Sequence, residues 1–194
     1  MSKRRLQRLI VTLVILGASA LTYYLQSHSA QQVSGPTQVM GVQQPGNYKV
    51  THIADGDTID VDMNGKTEAV RLIGVDTPES VKPNSPVQCY GKEASDFTKQ
   101  NLTGATVRLE ADPIGDNRDK YNRLLRYVYL QDGTLWNQKL IETGHGFAYL
   151  SFQFSKQADF ATAQAKAQGT KLGLWNVCTT YQENGGRWQT NDLK

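Results

Sequence analysis

Apolar and polar residues alternate most regularly from Thr58 to Met63, where Ile59, Val61 and Met63 are separated by Asp60 and Asp62. A period of two marks a strand with one buried face. Asn64-Gly65 follows, a strong hairpin signal, and Thr67–Val75 is its return strand. The same pattern predicts strands at Tyr48–Ala54, Ala105–Ala111 and Arg123–Leu130, the last closed by Asp132-Gly133. Helical spacing predicts a helix over Gly91–Leu102, with Ala94, Phe97 and Leu102 inward and Gly104 as its stop. Two more helices are predicted, at Leu135–Thr143 and at the Ala-rich Lys156–Gln168, ended by Gly144 and Gly169. Val75–Tyr90, with Pro78, Pro83 and Pro86, and the polar stretch Asp112–Asn122 read as irregular loops. Trp175 anchors a C-terminal segment, and the polar tail after Cys178 is expected to be loose. Five strands and three helices in this order predict an α+β, mainly β, fold: a small closed barrel with helices packed on it. A five-stranded OB barrel fits, as does another small α+β fold.

The first 46 residues follow different rules. Leu9–Leu25 is an apolar run of 17 residues. As an N-terminal hydrophobic helix it would span about 25 Å, just short of a hydrocarbon core of roughly 30 Å. Residues 1–8 form a basic flank that stays on the cytoplasmic side. Two readings follow: an uncleaved membrane anchor, or a signal peptide cut near Ser27-His28-Ser29. Both put the body outside the cytoplasm. Residues 26–46, rich in Gln, Ser, Gly and Pro, read as a flexible linker. The expected organisation is therefore a folded domain at 47–178 and a polar tail at 179–194. No protein partner is implied, and a monomer is expected.

Charge narrows the function. The formal net charge is +3, and Lys3, Arg4, Arg5 and Arg8 supply more than all of it, leaving the body near neutral. That excludes nucleic-acid binding by bulk charge, so any polyanion site is local. The two cysteines, Cys89 and Cys178, form no Cys-x-x-Cys or Cys/His cluster, which argues against a zinc site.

Local chemistry concentrates in two places. The first is Asp55-Gly-Asp-Thr58 with Asp76-Thr-Pro-Glu79. Pairing the hairpin about Asn64-Gly65 sets Met63 opposite Lys66 and brings Asp57 and Asp76 to one end of the sheet, on the apolar face. Paired carboxylates without His or Cys suit a hard cation, Ca²⁺ or Mg²⁺. Glu79 stands where a carboxylate can orient or deprotonate a water. Arg71 sits among Val70, Leu72 and Ile73, and a buried guanidinium needs an anionic partner. The simple register points it away from Asp57, so a bulge near Gly74 is expected to turn it in. The second place is Arg118 to Arg123, with Lys120 and Tyr121 between, where cations beside an aromatic suit a nucleotide.

Together with Arg71-Leu-Ile-Gly-Val-Asp-Thr-Pro-Glu79, Tyr90-Gly-Lys-Glu-Ala94, Asp119-Lys-Tyr-Asn-Arg123 and Gly173-Leu-Trp175, the Asp55–Thr58 motif resembles the thermonucleases, the staphylococcal-nuclease-like family. The resemblance covers Tyr48 to Trp175. Each motif is weak alone, and five in this order are specific. It implies an OB-fold nuclease that cleaves DNA and RNA with Ca²⁺ and leaves 3′-phosphate ends. It implies Asp57 and Asp76 as calcium ligands, joined by the Thr77 carbonyl, and Glu79 as the carboxylate acting on water. Arg71 and Arg123 would bind the scissile phosphate, and Lys120 and Tyr121 the terminal phosphate. Asn122 departs from the family's Tyr-Gly-Arg, although Asn tolerates the left-handed turn. Tyr149 is the candidate for base contact. Outside the cytoplasm, Cys89 and Cys178 are expected to pair. Two alternatives stay open: an OB-fold module that binds single-stranded nucleic acid without cutting it, and an envelope protein with a structural calcium site. Three carboxylates repel phosphate unless a metal intervenes, which favours the enzyme.

Overall fold

The predicted strands close on one another. A computed structural model describes residues 46–80, 86–183 and 185–193. In it, β1 (Gly46–Asp55), β2 (Thr58–Met63), β3 (Lys66–Leu72), β5 (Thr106–Glu110) and β6 (Leu124–Tyr129) form a closed barrel in the order β1-β2-β3-β6-β5. β3 and β6 run parallel, and the other pairs are antiparallel. This is the OB-type barrel. Ile59, Val61, Val70, Leu72, Val107 and Leu109 are buried in its core, as period-two alternation requires.

The β2–β3 hairpin has the expected register, from Met63 opposite Lys66 to Thr58 opposite Arg71. Its turn uses Asn64 and Gly65, both with positive φ. The return strand stops at Leu72, earlier than Val75. The chain turns through Gly74, whose φ is +71°, and resumes as β4 (Val75–Asp76). That short strand leaves the barrel and pairs with β7 (Phe147–Ala148).

Helix α1 (Gly91–Leu102) buries Ala94, Thr98 and Leu102, spaced every four residues, and leaves Phe97 partly covered. Phe97 stacks on Trp136 of helix α2 (Trp136–Glu142) at 5.1 Å and on His145 at 3.9 Å. The buried Asn137 of α2 accepts from the Val128 N–H at 2.8 Å and donates to the Ile73 carbonyl at 2.9 Å. It thereby satisfies backbone groups where β3 leaves the sheet. Helix α3 (Gln157–Gly169) buries Phe160, Ala163, Gln164 and Ala167, a stripe of helical period, and packs on α2 and β7. A short helix α4 (Leu174–Val177) carries Trp175.

The expectation of a loose tail is overturned. Residues after Cys178 form a hairpin, β8 (Thr180–Gln182) with β9 (Trp188–Thr190). A disulfide between Cys89 and Cys178 holds its base. The Cys89 N–H donates to the Asn191 carbonyl at 2.8 Å, and the Leu193 N–H to the Val87 carbonyl at 2.8 Å. Trp188 stacks on Phe147 at 6.2 Å and meets Trp175 edge-on at 5.2 Å. Composition missed this because the segment's ordering comes from distant partners. The basic flank at 1–8, the apolar run at 9–25 and the linker at 26–46, apart from Gly46 at the start of β1, lie outside the described residues. Among the described residues no helix is long and apolar enough to cross a membrane.

Asp112 anchors the loop that precedes β6. Its Oδ2 accepts from the Ser155 N–H at 2.7 Å, the Ser155 hydroxyl at 2.6 Å and the Tyr127 hydroxyl at 2.5 Å. Its Oδ1 accepts from the Ile114 and Gly115 N–H groups. Burial opposes ionisation, but these donors outweigh it and hold the pKa at about 2, below the ordinary 3.8.

Two outcomes test these anchors. Replacing both cysteines with serine should lower the unfolding free energy by at most about 4–5 kcal/mol, the chain-entropy value for a loop of this size; urea denaturation measures it. Asp112→Asn should destabilise the protein at neutral pH. Because Asp112 titrates lower folded than unfolded, its contribution is complete above about pH 4 and lost as pH falls towards 2. The gap in urea midpoint between variant and wild type should therefore narrow from pH 6 to pH 3.

Candidate active site

Arg71 holds the site together. It lies near the end of β3, and its side chain is only 14% exposed. Its Nη1 is 3.0 Å from Asp57 Oδ2, and its Nη2 is 2.9 Å from Asp76 Oδ1. Nη1 also donates to the Val75 carbonyl at 2.8 Å. The expected bulge does not exist: the β2–β3 ladder is regular up to Arg71. The carboxylates come to the arginine instead. Asp57 sits in the turn between β1 and β2, beyond the strand alternation, and Asp76 lies past the Gly74 turn.

The two acidic clusters are docked directly on each other. The Thr77 N–H donates to Asp57 Oδ2 at 2.9 Å, and the Thr77 hydroxyl reaches the same oxygen at 3.2 Å. Gly56 allows this approach, since a Cβ there would lie 2.8 Å from Thr77 Oγ1. The Thr98 hydroxyl of α1 fixes the turn by donating to the Gly56 carbonyl at 2.7 Å. Asp57 and Asp76 are both buried. Burial raises the Asp76 carboxyl above its ordinary range, with the Arg71 charge opposing and Asp57 reinforcing the rise. Asp55, beside them, is pushed up to about 6 by burial and by the Asp57 charge, although Ser80 and the Gly56 N–H donate to it.

Glu79 is half-buried on the same side. Its backbone exchanges hydrogen bonds with Gln88: the Glu79 N–H donates to Gln88 Oε1 at 2.8 Å, and the Gln88 N–H to the Glu79 carbonyl at 2.9 Å. The start of α1 closes over that carbonyl. A Cβ at Gly91 would lie 2.4 Å from it, which accounts for the glycine in Tyr90-Gly-Lys.

The cationic wall comes from the loop before β6. Arg123 Nε donates to Asp119 Oδ2 at 2.7 Å, and its N–H to Asp119 Oδ1 at 2.9 Å. Asn122 takes φ +66°, so the left-handed turn is kept without glycine. Lys120 Nζ lies 5.0 Å and the Arg123 guanidinium 5.4 Å from the centre of the exposed Tyr121 ring. Arg118 instead braces the loop, pairing with the buried Glu68 at 2.9 Å and donating to the Asn122 carbonyl. Thr58 joins the two walls. Its hydroxyl donates to Asp57 Oδ1 at 3.0 Å and accepts from Arg123 Nη1 at 3.4 Å.

An open cleft of about 1370 Å³ lies between the walls, bordered by Asp57, Asp76, Thr77, Glu79, Arg71, Lys120, Tyr121, Arg123 and Tyr149. It exceeds the roughly 300–1,000 Å³ of a small-molecule pocket and suits a segment of polymer. Among the described residues no three His, Cys, Asp or Glu side chains form a metal cage. The donors on hand are oxygens alone: two buried carboxylates tied through one guanidinium, with the adjacent Thr77 backbone. That set fits a hard divalent ion completed by water or substrate oxygens. Sequence reasoning missed three contributors: Gln88, Thr58 as a bridge, and Arg187, whose Nε is 2.8 Å from Asp76 Oδ2. Thr58 was legible within its motif. Arg187 had no signal, being 111 residues from its partner in an aperiodic polar stretch.

Comparison with known proteins agrees with this architecture. Residues 69–177 match the family model described as staphylococcal nuclease homologue. A thermonuclease of Staphylococcus hyicus is 41% identical over 174 residues, 88% of this chain and 99% of that protein. A thermonuclease of Staphylococcus intermedius is 48% identical over 130 residues, 66% of this chain and 76% of that protein. Endonuclease YncB of Bacillus subtilis is 38% identical over 157 residues, 80% of this chain and 74% of that protein. With the barrel, the clustered motifs and the extent of these matches in agreement, the chain belongs to the staphylococcal nuclease homologue family.

Proposed function

We propose that this protein is a Ca²⁺-dependent endonuclease that hydrolyses DNA and RNA and leaves 3′-phosphate ends. Its enzymatic class, a phosphodiester-hydrolysing nuclease, follows from the family and from relatives named thermonuclease and endonuclease. The observation that carries the finer reading is the Thr58 bridge. One hydroxyl touches both Asp57 and Arg123, so the acidic and cationic walls stand within a few ångströms across one cleft.

Asp57, Asp76 and the Thr77 carbonyl would hold the calcium ion. When bound, it supplies positive charge to phosphate oxygens and offsets the repulsion of the surrounding carboxylates. Glu79 accepts a proton from water as the water oxygen bonds to phosphorus. The bond from phosphorus to the 5′ oxygen breaks, the leaving oxygen takes a proton from solvent, and the phosphate stays on the 3′ side. Arg71 and Arg123 donate to the non-bridging oxygens as their charge grows, in a site already organised before substrate arrives. Holding Arg123 at Nε through Asp119 keeps its terminal nitrogens aimed at the cleft. Lys120 and Tyr121 bind a terminal phosphate, and Tyr149 contacts a base. The described disulfide supports a location outside the cytoplasm, with residues 9–25 as an anchor or a cleaved signal.

Glu79→Gln and Arg123→Ala should each lower kcat by about 10²–10³-fold while melting close to wild type. Chelating calcium should abolish cleavage, and adding it back should restore cleavage. Labelled DNA analysed on gels with end-group mapping checks all three. DNA that is shifted but intact at saturating calcium would establish a binding module instead.

A further inference from the structure

Arg187 lies on the C-terminal hairpin, outside the stretch that matches the family model. Its neighbourhood is fixed from several directions. The disulfide ties Cys178 at the base of the hairpin to Cys89 before α1. The Thr190 hydroxyl donates to the Cys89 carbonyl at 2.8 Å, and the Gln189 and Gln88 side chains are hydrogen-bonded. Trp188, the next residue, packs against both Phe147 and Trp175, which also touch each other. Arg187 therefore leaves an anchored strand and reaches into the cleft.

There its Nε donates to Asp76 Oδ2 at 2.8 Å, while the side chain is 45% exposed. Among the described residues, no hydrogen bond engages its two terminal nitrogens. Arg123 is likewise held at Nε, by Asp119 at 2.7 Å, with Nη1 also reaching the Thr58 hydroxyl at 3.4 Å and the side chain 29% exposed. A guanidinium clamped at Nε by a carboxylate keeps one orientation and leaves terminal N–H groups that match the spacing of phosphate oxygens. The guanidinium also stands 5.9 Å from the centre of the Tyr149 ring, so a cation and an aromatic face sit together on this wall. Glu183 and Asp192 border the cleft nearby, and a cation at Arg187 offsets their repulsion of a polyanion.

We propose that Arg187 is a substrate-binding residue that grips a phosphate of the polynucleotide backbone through the terminal nitrogens left free by its ion pair with Asp76. The hairpin is then a third wall of the site, joined to the acidic and cationic walls. This rests on the nuclease reading. The role belongs to binding along the chain of phosphates rather than to the bond that breaks.

The test is steady-state cleavage of a single-stranded DNA oligonucleotide at saturating calcium, from 50 to 200 mM salt, with wild type, Arg187→Ala and Arg187→Lys. Arg187→Ala should raise KM about tenfold, the value of one charge-assisted hydrogen-bonded contact, with the loss falling on KM rather than kcat. Its dependence of log KM on log salt should flatten by about 0.7, one phosphate contact on a single strand. Arg187→Lys should keep the wild-type slope but recover only part of the KM. A KM within twofold of wild type with an unchanged slope, or a loss confined to kcat, overturns the assignment. Should the alanine variant not fold, the lysine variant decides: a raised KM with an unchanged slope supports the assignment, and a wild-type KM overturns it. Wild-type protein that cleaves at no calcium level overturns the nuclease reading and this one together.

Discussion

A single guanidinium shared by two buried carboxylates is the interaction on which the site depends. Arg71 meets Asp57 at 3.0 Å and Asp76 at 2.9 Å, and all three side chains are largely shielded from water. Two carboxylates this close repel each other, and burial makes the repulsion costly. Removing the guanidinium would leave the buried Asp57 without a cation and Asp76 with Arg187 alone, a loss on the order of 3–5 kcal/mol. Because Arg71 is rooted in β3, next to both β2 and β6, its position is set by the barrel ladder. The two turns are then held at a separation the barrel dictates. Thr77 and Gly56 complete the docking, and neither turn could keep this shape alone.

The rest of the cleft is built outward from that core by progressively more local means. The acidic wall stands on turns clamped to barrel strands and to α1. The cationic wall is a loop, made rigid by Asp112 at one end and Asp119 at the other. Each of these aspartates accepts several donors, which is how a polar loop acquires a defined shape without a core of its own. The hairpin is the third layer. It reaches Glu79 indirectly, since Gln88 contacts the Glu79 backbone and the Gln189 side chain together. A disulfide at its base makes the arrangement suited to an oxidising compartment.

What the chain's own pattern determined is considerable. The five barrel strands, the register about Asn64-Gly65 and the three main helices follow from period, turn residues and glycine stops. These are local signals, written between residues a few positions apart, and local physics reads them directly. The motif residues Asp57, Asp76, Glu79 and Arg123 were legible as well, because their type and order match the family's motifs. The tertiary structure decided the rest. Alternation set Asp57 and Asp76 on the face away from Arg71, since alternation ends where strands end: Asp57 lies in the turn between β1 and β2, and Asp76 lies in β4, past the Gly74 turn. A polar tail without periodicity became the wall that carries Arg187, because its order derives from Cys89, Gln88, Phe147 and Asp76, all of them distant in sequence. Such contacts leave no local trace: the free energy that orders the segment is released only when the barrel brings its partners within reach.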